Sequence, residues 1–257
     1  MSGHADNYPV GRLAIVAFAL STWAFILMVI AACIIAAGFI VLSPSHAGPG
    51  KSGTLSTDGR FPLPAPKITG TVSVEEAVVS RRSVREYATS PLEISEISQL
   101  LWAAQGQTDP SGLRAAPSAG ALYPLEVYVA CGNVTGLSNG VYHYLLESHA
   151  LDRVIGRDVR EDLYQSALRQ PSVRDAAAVI IIAADYNRTT RKYGERGIRY
   201  VHMEAGHASE NIYLQAYALG IGTVAIGAFD DSGVQSVLGL PQDQTPLYLM
   251  PIGKMRT

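Results

Sequence analysis

Residues 114–124 read Arg-Ala-Ala-Pro-Ser-Ala-Gly-Ala-Leu-Tyr-Pro and join a helix-like segment to a strand-like one. Pro117 fixes one backbone dihedral, and Gly120 permits backbone angles that other residues avoid. The small side chains between the prolines would let backbone N–H and C=O groups approach the edge of a flat ligand. On composition alone a plain connector is the simpler interpretation. An upstream segment favours the alternative interpretation, in which the loop binds a flat ligand.

That upstream segment, residues 80–85, reads Ser-Arg-Arg-Ser-Val-Arg. Three guanidinium groups and two hydroxyls in six positions suit a phosphate dianion, which arginine binds bidentately. We expect the segment near the C-terminal end of a helix that Ser73 caps, with Glu76 completing a capping box. A helix C-terminus does not attract an anion, so the arginines must supply the attraction. A phosphate clamp and a small-residue loop together predict a phosphorylated planar cofactor.

Length and composition limit the possible classes of protein. The chain has 257 residues, a formal net charge of −2 and 48% hydrophobic residues, which suits one globular domain plus an additional segment. The near-neutral charge gives no case for binding nucleic acid. The two cysteines, Cys33 and Cys131, lie in very different segments, and Cys33 falls within an apolar run. A disulfide framework is therefore not expected.

The additional segment is an apolar run, residues 13–42, which carries no charged side chain. It is long enough to cross a bilayer with tilt and predicts one transmembrane helix. A cleaved signal peptide is the alternative, because Ser45-His46-Ala47 resembles a cleavage site, although its apolar region would be shorter. Arg12 precedes the run, whereas Lys51 and Arg60 follow it. This excess predicts a single-pass membrane protein with its C-terminal side in the cytoplasm.

The domain organisation and the secondary structure follow from composition and periodicity. We predict an N-terminal tail over residues 1–12, the transmembrane helix over 13–42, a flexible linker over 43–70 and a folded domain over 71–257. Mixed helices and strands without strict βαβ alternation predict an α+β fold. Predicted helices cover 92–105, 158–169, 200–219 and 233–238, and predicted strands cover 125–131, 141–146, 151–155, 176–184, 223–226 and 247–252.

These segments together resemble the nitroreductase superfamily, and most closely its SagB-type, azoline-oxidase-like branch. The resemblance extends from Thr71 to Gly253 and rests on the order and spacing of several motifs. They are Arg81-Arg82-Ser83-Val84-Arg85, Pro117-Ser118-Ala119-Gly120-Ala121-Leu122-Tyr123-Pro124, Val141-Tyr142-His143-Tyr144, Glu204-Ala205-Gly206-His207, Ala218-Leu219-Gly220-Ile221-Gly222 and Ile226-Gly227-Ala228-Phe229.

The resemblance implies an FMN-binding homodimer with the flavin at the subunit interface, and a central mixed or antiparallel sheet flanked by helices. It also implies cofactor contacts. The phosphate and ribityl chain would be held by Arg81, Arg82, Ser83 and Arg85; the isoalloxazine ring would lie along Pro117, Ser118, Ala119 and Gly120, and against Ile226, Gly227 and Ala228. Lys254 or Arg256 would assist with the phosphate. The competing interpretation of the arginines is a solvated helix end.

The same resemblance points to Lys192 and Tyr193 as the catalytic base and its partner in a dehydrogenation. A lysine becomes a base when burial or neighbouring cations lower its pKa. Here Arg188, Arg191 and Arg196 would be those cations. An exposed basic face is an equally good interpretation of this segment. No metal site is predicted, because His202 and His207 lie at no suitable spacing with cysteines or carboxylates.

The function implied is that of a membrane-tethered, FMN-dependent oxidoreductase. A SagB-type dehydrogenase would oxidise a thiazoline- or oxazoline-like ring, or another small organic or peptide substrate. The first alternative is an NAD(P)H-dependent nitro- or quinone-reductase. The alternative from another class is a flavin-binding membrane protein without turnover.

Overall fold

The computed structural model describes residues 60–256, and its centre is a seven-stranded antiparallel sheet. The strand order is β1-β6-β5-β3-β7-β9-β8, and β2 and β4 form a separate parallel pair. The strands are β1 Arg60–Pro62, β2 Leu92–Glu93, β3 Leu125–Cys131, β4 Val134–Thr135, β5 Gly140–Leu145, β6 Ala150–Ile155, β7 Ala178–Ala184, β8 Ile221–Thr223 and β9 Thr245–Lys254. The predicted α+β class is confirmed.

Helices cover both faces of this sheet. They are α1 Val74–Ser80, α2 Ile94–Gln105, α3 Arg160–Ser166, α4 Pro171–Asp175, α5 Tyr186–Tyr193, α6 Arg196–Ala218 and α7 Asp231–Leu238. Apolar side chains of α2 and α6 join one core cluster, and those of α3, α4 and α7 join the other. The sheet is therefore the middle of three layers, which explains why the run Val179–Ile182 is buried on both faces.

The strand β3 shows the same two-sided burial. Val127 and Val129 belong to one core cluster, whereas Tyr128 and Ala130 belong to the other. The alternating pattern predicted a strand with one buried face. The second face is buried as well, because the helices beneath it cover Tyr128 and its neighbours.

Local signals set several helix ends as expected. Glu76 N donates to Ser73 Oγ at 3.1 Å, which confirms the predicted cap of α1. Gly220, just after α6, has φ 69°, a conformation that glycine adopts without strain. The helix predicted over 158–169 ends earlier, since Leu168 and Arg169 have φ values of 53° and 57°. The short helix α5 was not predicted.

Part of the predicted linker, residues 43–70, belongs to the folded structure. β1 pairs with β6 at the edge of the sheet. Lys67 N donates to Gln99 Oε1 at 2.7 Å, and Gln99 Nε2 donates to Lys67 O at 3.0 Å. The described chain is thus held against α2 several residues before Thr71.

The predicted single-pass membrane localisation, with a cytoplasmic domain, requires correction. Within residues 60–256 no helix is both long enough and apolar enough to cross a bilayer. The predicted span, residues 13–42, lies outside the described residues.

Close packing on β9, next to the edge strand β8, gives a stability prediction. A Cβ atom added at Gly253 would lie 2.7 Å from Tyr87 Cβ, whereas one added at Gly206 within α6 meets nothing within 4 Å. We expect Gly253→Ala to lower the free energy of unfolding by about 1–3 kcal/mol. The matched change Gly206→Ala should raise it by about 0.5–1 kcal/mol. Urea unfolding followed by circular dichroism measures both, and equal effects of the two substitutions would contradict this packing.

Candidate functional site

The arginine–serine cluster, residues 80–85, runs in extended backbone along the edge strand β8. Helix α1 ends at Ser80, the first residue of the cluster, so the cluster directly follows the C-terminal end of the helix, as predicted. Val84 N donates to Thr223 O at 2.8 Å, and Ser83 forms a parallel bridge to the same residue. The sheet edge therefore fixes the backbone of the cluster.

Tyr213 on α6 joins this cluster to a second predicted segment. The guanidinium carbon of Arg81 lies 5.0 Å from the centroid of the Tyr213 ring, and Ser83 Oγ lies 3.1 Å from its hydroxyl. The same hydroxyl accepts a hydrogen bond from Ala225 N at 2.7 Å. Ala225 directly precedes residues 226–228. The cluster and this segment, predicted separately, thus meet at one tyrosine that the sequence analysis missed.

Residues 226–228 leave the sheet at this point. Ile226 is buried and exchanges two backbone hydrogen bonds with Leu249, each of 2.9 Å. Gly227 and Ala228 are exposed, and Ala228 O accepts from Gln170 Nε2 at 2.9 Å. A buried anchor followed by exposed backbone of small residues leaves peptide groups accessible to a ligand.

The arginines of the cluster differ in their contacts. Arg82 donates to Val79 O at 3.0 Å and to Arg81 O at 2.7 Å, so its guanidinium satisfies carbonyls at the end of α1. Arg81 lies 3.9 Å from Glu210, and Arg85 is exposed. Arg81 and Arg85 are therefore better placed than Arg82 to receive an anion.

The basic residues near the end of β9 are already paired. Lys254 Nζ forms an ion pair with Glu96 in the first turn of α2, and Lys254 lies opposite Ile221 in the sheet. Arg256 Nη1 lies 2.6 Å from Glu86 Oε2. Both cations that the resemblance offered for a phosphate are thus engaged by carboxylates.

The small-residue loop, residues 114–124, adopts an unusual backbone. Gly120 has φ 64°, and two non-glycine residues, Ala121 and Tyr123, have φ 52° and 47°. Tyr123 N donates to Ser118 Oγ at 2.9 Å, which closes the loop on itself. Left-handed backbone at non-glycine positions is costly and persists where surrounding contacts impose it. Surrounding contacts therefore fix the conformation of the loop, which is not that of a plain connector.

The loop contacts the Lys192–Tyr193 pair at the end of α5. A Cβ atom added at Gly120 would lie 2.7 Å from Tyr193 Oη and 3.0 Å from Lys192 Nζ. The Tyr193 ring packs edge-on against Tyr200 with 5.2 Å between the centroids. Lys192 is exposed and Tyr193 is half-buried. The structure thus brings the predicted catalytic pair to the predicted ring-binding loop, where only glycine leaves room.

A polar network holds α5 against this loop. Arg188 donates to Tyr123 O at 3.1 Å and pairs with Glu126 and Asp185. Burial raises the pKa of Glu126, but hydrogen bonds from His143 and Arg188 outweigh it and hold that pKa below its ordinary value. Arg188 was one of the three cations expected beside Lys192, and two carboxylates balance its charge.

A buried carboxyl, Glu204 on α6, lies beneath the loop. The sequence analysis named Glu204 as part of the motif Glu204-Ala205-Gly206-His207 but gave its carboxyl no chemical role. Only 2% of Glu204 is exposed, and burial raises its pKa to about 7 against the opposing effects of Ser118, Arg114 and Gln105. Among the described residues, Glu204 Oε1 and Gln105 Nε2 lack hydrogen-bond partners. The apolar stripe of α6 identifies it as a helix, but the stripe does not reveal that the carboxyl of Glu204 is buried.

The small-residue loop and the arginine–serine cluster are the two halves of the candidate site, and they contact α6 at different positions along its axis. Glu204 reaches the small-residue loop and Tyr213 reaches the arginine–serine cluster, which at 1.5 Å per residue places them about 14 Å apart along α6. One half offers guanidinium groups and a hydroxyl, and the other offers small side chains. An elongated ligand with an anion at one end and a flat ring at the other would fit.

Comparison with protein families and with related proteins identifies relatives of this chain. The family model described as Nitroreductase family matches residues 78–254. A protein named as a nitroreductase from Methanocaldococcus jannaschii is 48% identical over 71% of this chain and 91% of its own length. The microcin B17-processing protein McbC of Escherichia coli is 32% identical over 59% of this chain and 58% of its own length. The NADPH-flavin oxidoreductase of Vibrio harveyi is 27% identical over 42% and 49%.

Two solved structures are also similar. A protein described as a nitroreductase from Ralstonia eutropha is superposable with a TM-score of 0.69, at 26% identity, over 82% of this chain and 96% of that one. A chain in the Escherichia coli microcin synthetase McbBCD complex with truncated pro-MccB17 bound gives a TM-score of 0.59 at 27% identity, over 76% and 78%. The central antiparallel sheet with flanking helices is thus shared with these proteins.

The buried carboxyl gives a prediction about stability and pH. The pKa of Glu204 is raised from the ordinary 4.5 to about 7 in the folded protein, so between these values the folded state binds more protons than the unfolded state. The stability that this group contributes is therefore fully present below the lower value and is lost as pH rises through the higher one. The loss should reach about 3 kcal/mol at most.

We expect Glu204→Gln to remove this fall in unfolding free energy while leaving the rest of the pH profile in place. Chemical denaturation at a series of pH values measures it. The exposed residue Glu161 provides the matched control, since Glu161→Gln should retain the wild-type profile. A Glu204→Gln variant whose stability still falls in parallel with the wild type would contradict the assignment.

Proposed function

Because the chain belongs to the nitroreductase family of oxidoreductases, we propose that it is an FMN-dependent dehydrogenase of the SagB type. The contact of Gly120 with Lys192 and Tyr193 is the observation that carries this proposal. It puts a candidate base and a hydroxyl beside the loop on which a flat cofactor ring would lie. Similarity to a microcin-processing protein supports this branch of the family.

The proposed FMN site uses both the arginine–serine cluster and the small-residue loop. Arg81, Arg85 and Ser83 would bind the phosphate, because charge-assisted contacts from guanidinium groups are strong. The ring would lie along the loop residues and against the exposed backbone of the second segment; the contacts are assigned to Pro117, Ser118, Ala119 and Gly120, and to Ile226, Gly227 and Ala228. Arg82, which donates to two carbonyls at the end of α1, and Lys254, which forms a close ion pair with Glu96, would play a smaller part. Arg81 has only a looser ion pair, at 3.9 Å, with Glu210.

The residues beside the loop would handle the proton of the reaction. When bound, the flavin supplies the two-electron hydride chemistry. Oxidation of a carbon–heteroatom ring also releases a proton, and Lys192 Nζ, in its uncharged form, would accept it. The Tyr193 hydroxyl, close to the same point above Gly120, would orient or relay that proton. The protein thus contributes position and a proton acceptor.

A thiazoline or oxazoline ring within a peptide is the substrate that we favour. The relative named as a microcin B17-processing protein and the microcin synthetase complex with truncated pro-MccB17 bound both concern a peptide. Lys192 is exposed, so a substrate ring attached to a longer chain could reach it without passing through a closed cavity.

The second candidate function is an NAD(P)H-dependent nitro- or quinone-reductase. The similarity to an NADPH-flavin oxidoreductase favours it, and so does the exposure of Lys192, which is compatible with a surface charge without a chemical role. In this function a nicotinamide delivers the hydride and no protein base is required.

We also propose that the protein acts as a homodimer. Exposed apolar side chains on α1 support this, since Val74, Val78 and Val79 are 71%, 58% and 68% exposed. Met203 on α6 is 52% exposed as well. Val74 and Val78, four residues apart, share one face of α1, as a helix does when it packs on a partner.

The phosphate contacts can be tested by removing two arginines. The double variant Arg81→Ala/Arg85→Ala should lose bound FMN, because two charge-assisted contacts, each worth about tenfold in affinity or more, disappear. The control Arg157→Ala/Arg174→Ala removes the same charge from exposed arginines elsewhere and should retain FMN. Absorbance of the purified proteins measures the flavin content. Full flavin occupancy in the first variant would refute the phosphate assignment.

The catalytic assignment can be tested at Lys192. Lys192→Ala should keep FMN but lower the rate of flavin reduction by a thiazoline-containing peptide by about 10²–10⁴-fold, the usual contribution of a general base. Reduction by dithionite needs no base and should be unchanged. Arg157→Ala, which removes an exposed cation that has no role in the proposed site, is the control and should react at the wild-type rate.

A wild-type rate in Lys192→Ala would show that the pair carries only surface charge. The reductase would then be favoured, and rapid bleaching of the flavin by NADPH should accompany that result.

A further inference from the structure

Exposed cations collect where α5 ends and α6 begins, next to the candidate catalytic pair. Residues 191–199 contain four cations and one acidic residue, Glu195. The cations are Arg191, Lys192, Arg196 and Arg199, and all four are exposed. Lys192 is the candidate base. The other three, Arg191, Arg196 and Arg199, are called the basic patch.

The guanidinium groups of the basic patch form no ion pair within residues 60–256. Arg157, Arg174 and Arg256 are also exposed, but each of them pairs with a carboxylate. The first turn of α6 contains no acidic residue, although the partial positive charge of a helix N-terminus makes cations there unfavourable. The basic patch therefore does not stabilise the fold.

Two tyrosines place the basic patch beside Lys192. Tyr200 lies four residues after Arg196 and next to Arg199, so all three share one side of α6. The Tyr200 ring packs edge-on against the Tyr193 ring, with 5.2 Å between the centroids. Lys192 Nζ lies 5.4 Å from the centroid of the same Tyr193 ring. The unpaired charges and the candidate base thus meet at one pair of aromatic rings.

We propose that the basic patch binds carboxylate groups of a peptide substrate close to the ring that reacts at Lys192. Guanidinium groups bind carboxylates bidentately, and aspartate and glutamate side chains carry the negative charge of a peptide near neutral pH. An extended peptide advances about 3.3–3.6 Å per residue, so acidic residues within about three positions of the ring would reach the patch. The inference rests on the proposed function, because it names the class of peptide for that site.

Two fluorescently labelled peptides of equal length test this with the full chain. Each contains one thiazoline ring, which is flanked by glutamates in one peptide and by glutamines in the other. Exposed ion pairs contribute up to about fivefold each in affinity, so the glutamate peptide should bind about tenfold more tightly at about 0.05 M salt. Screening at about 0.5 M salt should bring the ratio close to 1. Fluorescence anisotropy measures the dissociation constants, and equal affinities at low salt overturn the proposal.

Charge reversal identifies the residues responsible. Arg196→Glu/Arg199→Glu should bind the glutamate peptide more weakly than the glutamine peptide, because attraction becomes repulsion. Arg196→Lys/Arg199→Lys keeps the charge and should keep most of the preference. The control Arg157→Glu/Arg174→Glu reverses two exposed charges elsewhere and should retain the wild-type ratio. An equal loss of preference in this control would reflect net charge alone and overturn the proposal.

Light scattering of each variant checks the subunit contact. A change of oligomeric state in Arg196→Glu/Arg199→Glu alone would place these arginines between subunits and contradict a peptide site. Binding of NADPH and NADH checks a second anion. A preference for NADPH that disappears in the same variant, with no discrimination between the peptides, would assign the patch to a nucleotide phosphate and overturn the proposal.

Flavin reduction by the two peptides is measured separately from their binding. If the glutamate peptide binds more tightly but neither peptide reduces the flavin, the proposed function fails and the basic patch stands. If both peptides reduce the flavin and bind equally well, the proposed function stands and this inference fails.

Discussion

The packing of α6 against the sheet sets the geometry of the whole site. This one helix, Arg196–Ala218, carries Glu204 beneath the small-residue loop and Tyr213 beside the arginine–serine cluster. Its buried stripe, including Val201, Ala208 and Ile212, anchors it on one core cluster. Because a helix is stiff along its axis, the separation of the two contact points is fixed before any ligand arrives. A preorganised site of this kind does not have to order itself on binding.

Close contacts then position the small-residue loop, α5 and the arginine–serine cluster around α6. Tyr193 packs so close to Gly120 that position 120 has no space for a side chain. Arg188 connects α5 to the loop by a hydrogen bond to Tyr123 O. At the other end the sheet edge aligns the cluster through Val84 and Thr223. Elements far apart in the sequence thus converge, although the loop itself has little regular structure. The strain at its left-handed residues is sustained by these neighbours.

The sequence allowed prediction of elements whose signals are local or periodic. The cap at Ser73, the buried run of β7 and the long amphipathic helix were predicted correctly, with ends displaced by a few residues. Helix α5 was missed because its polar segment has no apolar stripe and its position depends on partners in the loop. The ion pair of Lys254 with Glu96 joins residues 158 positions apart, and no local pattern could reveal it. Tyr213 was missed for the same reason, since its partners lie on other elements, and Glu204 was named only as part of a motif.

A binding titration of the cofactor-free protein with FMN and with riboflavin tests the central claim most directly. The two ligands share the flat ring, but only FMN carries the phosphate that the arginine–serine cluster would hold. The account predicts that both bind and that FMN binds at least about tenfold more tightly, since each charge-assisted contact contributes about 1.5–3 kcal/mol. Equal affinities for the two ligands, or no binding of either, would contradict a site with an anion at one end and a ring at the other.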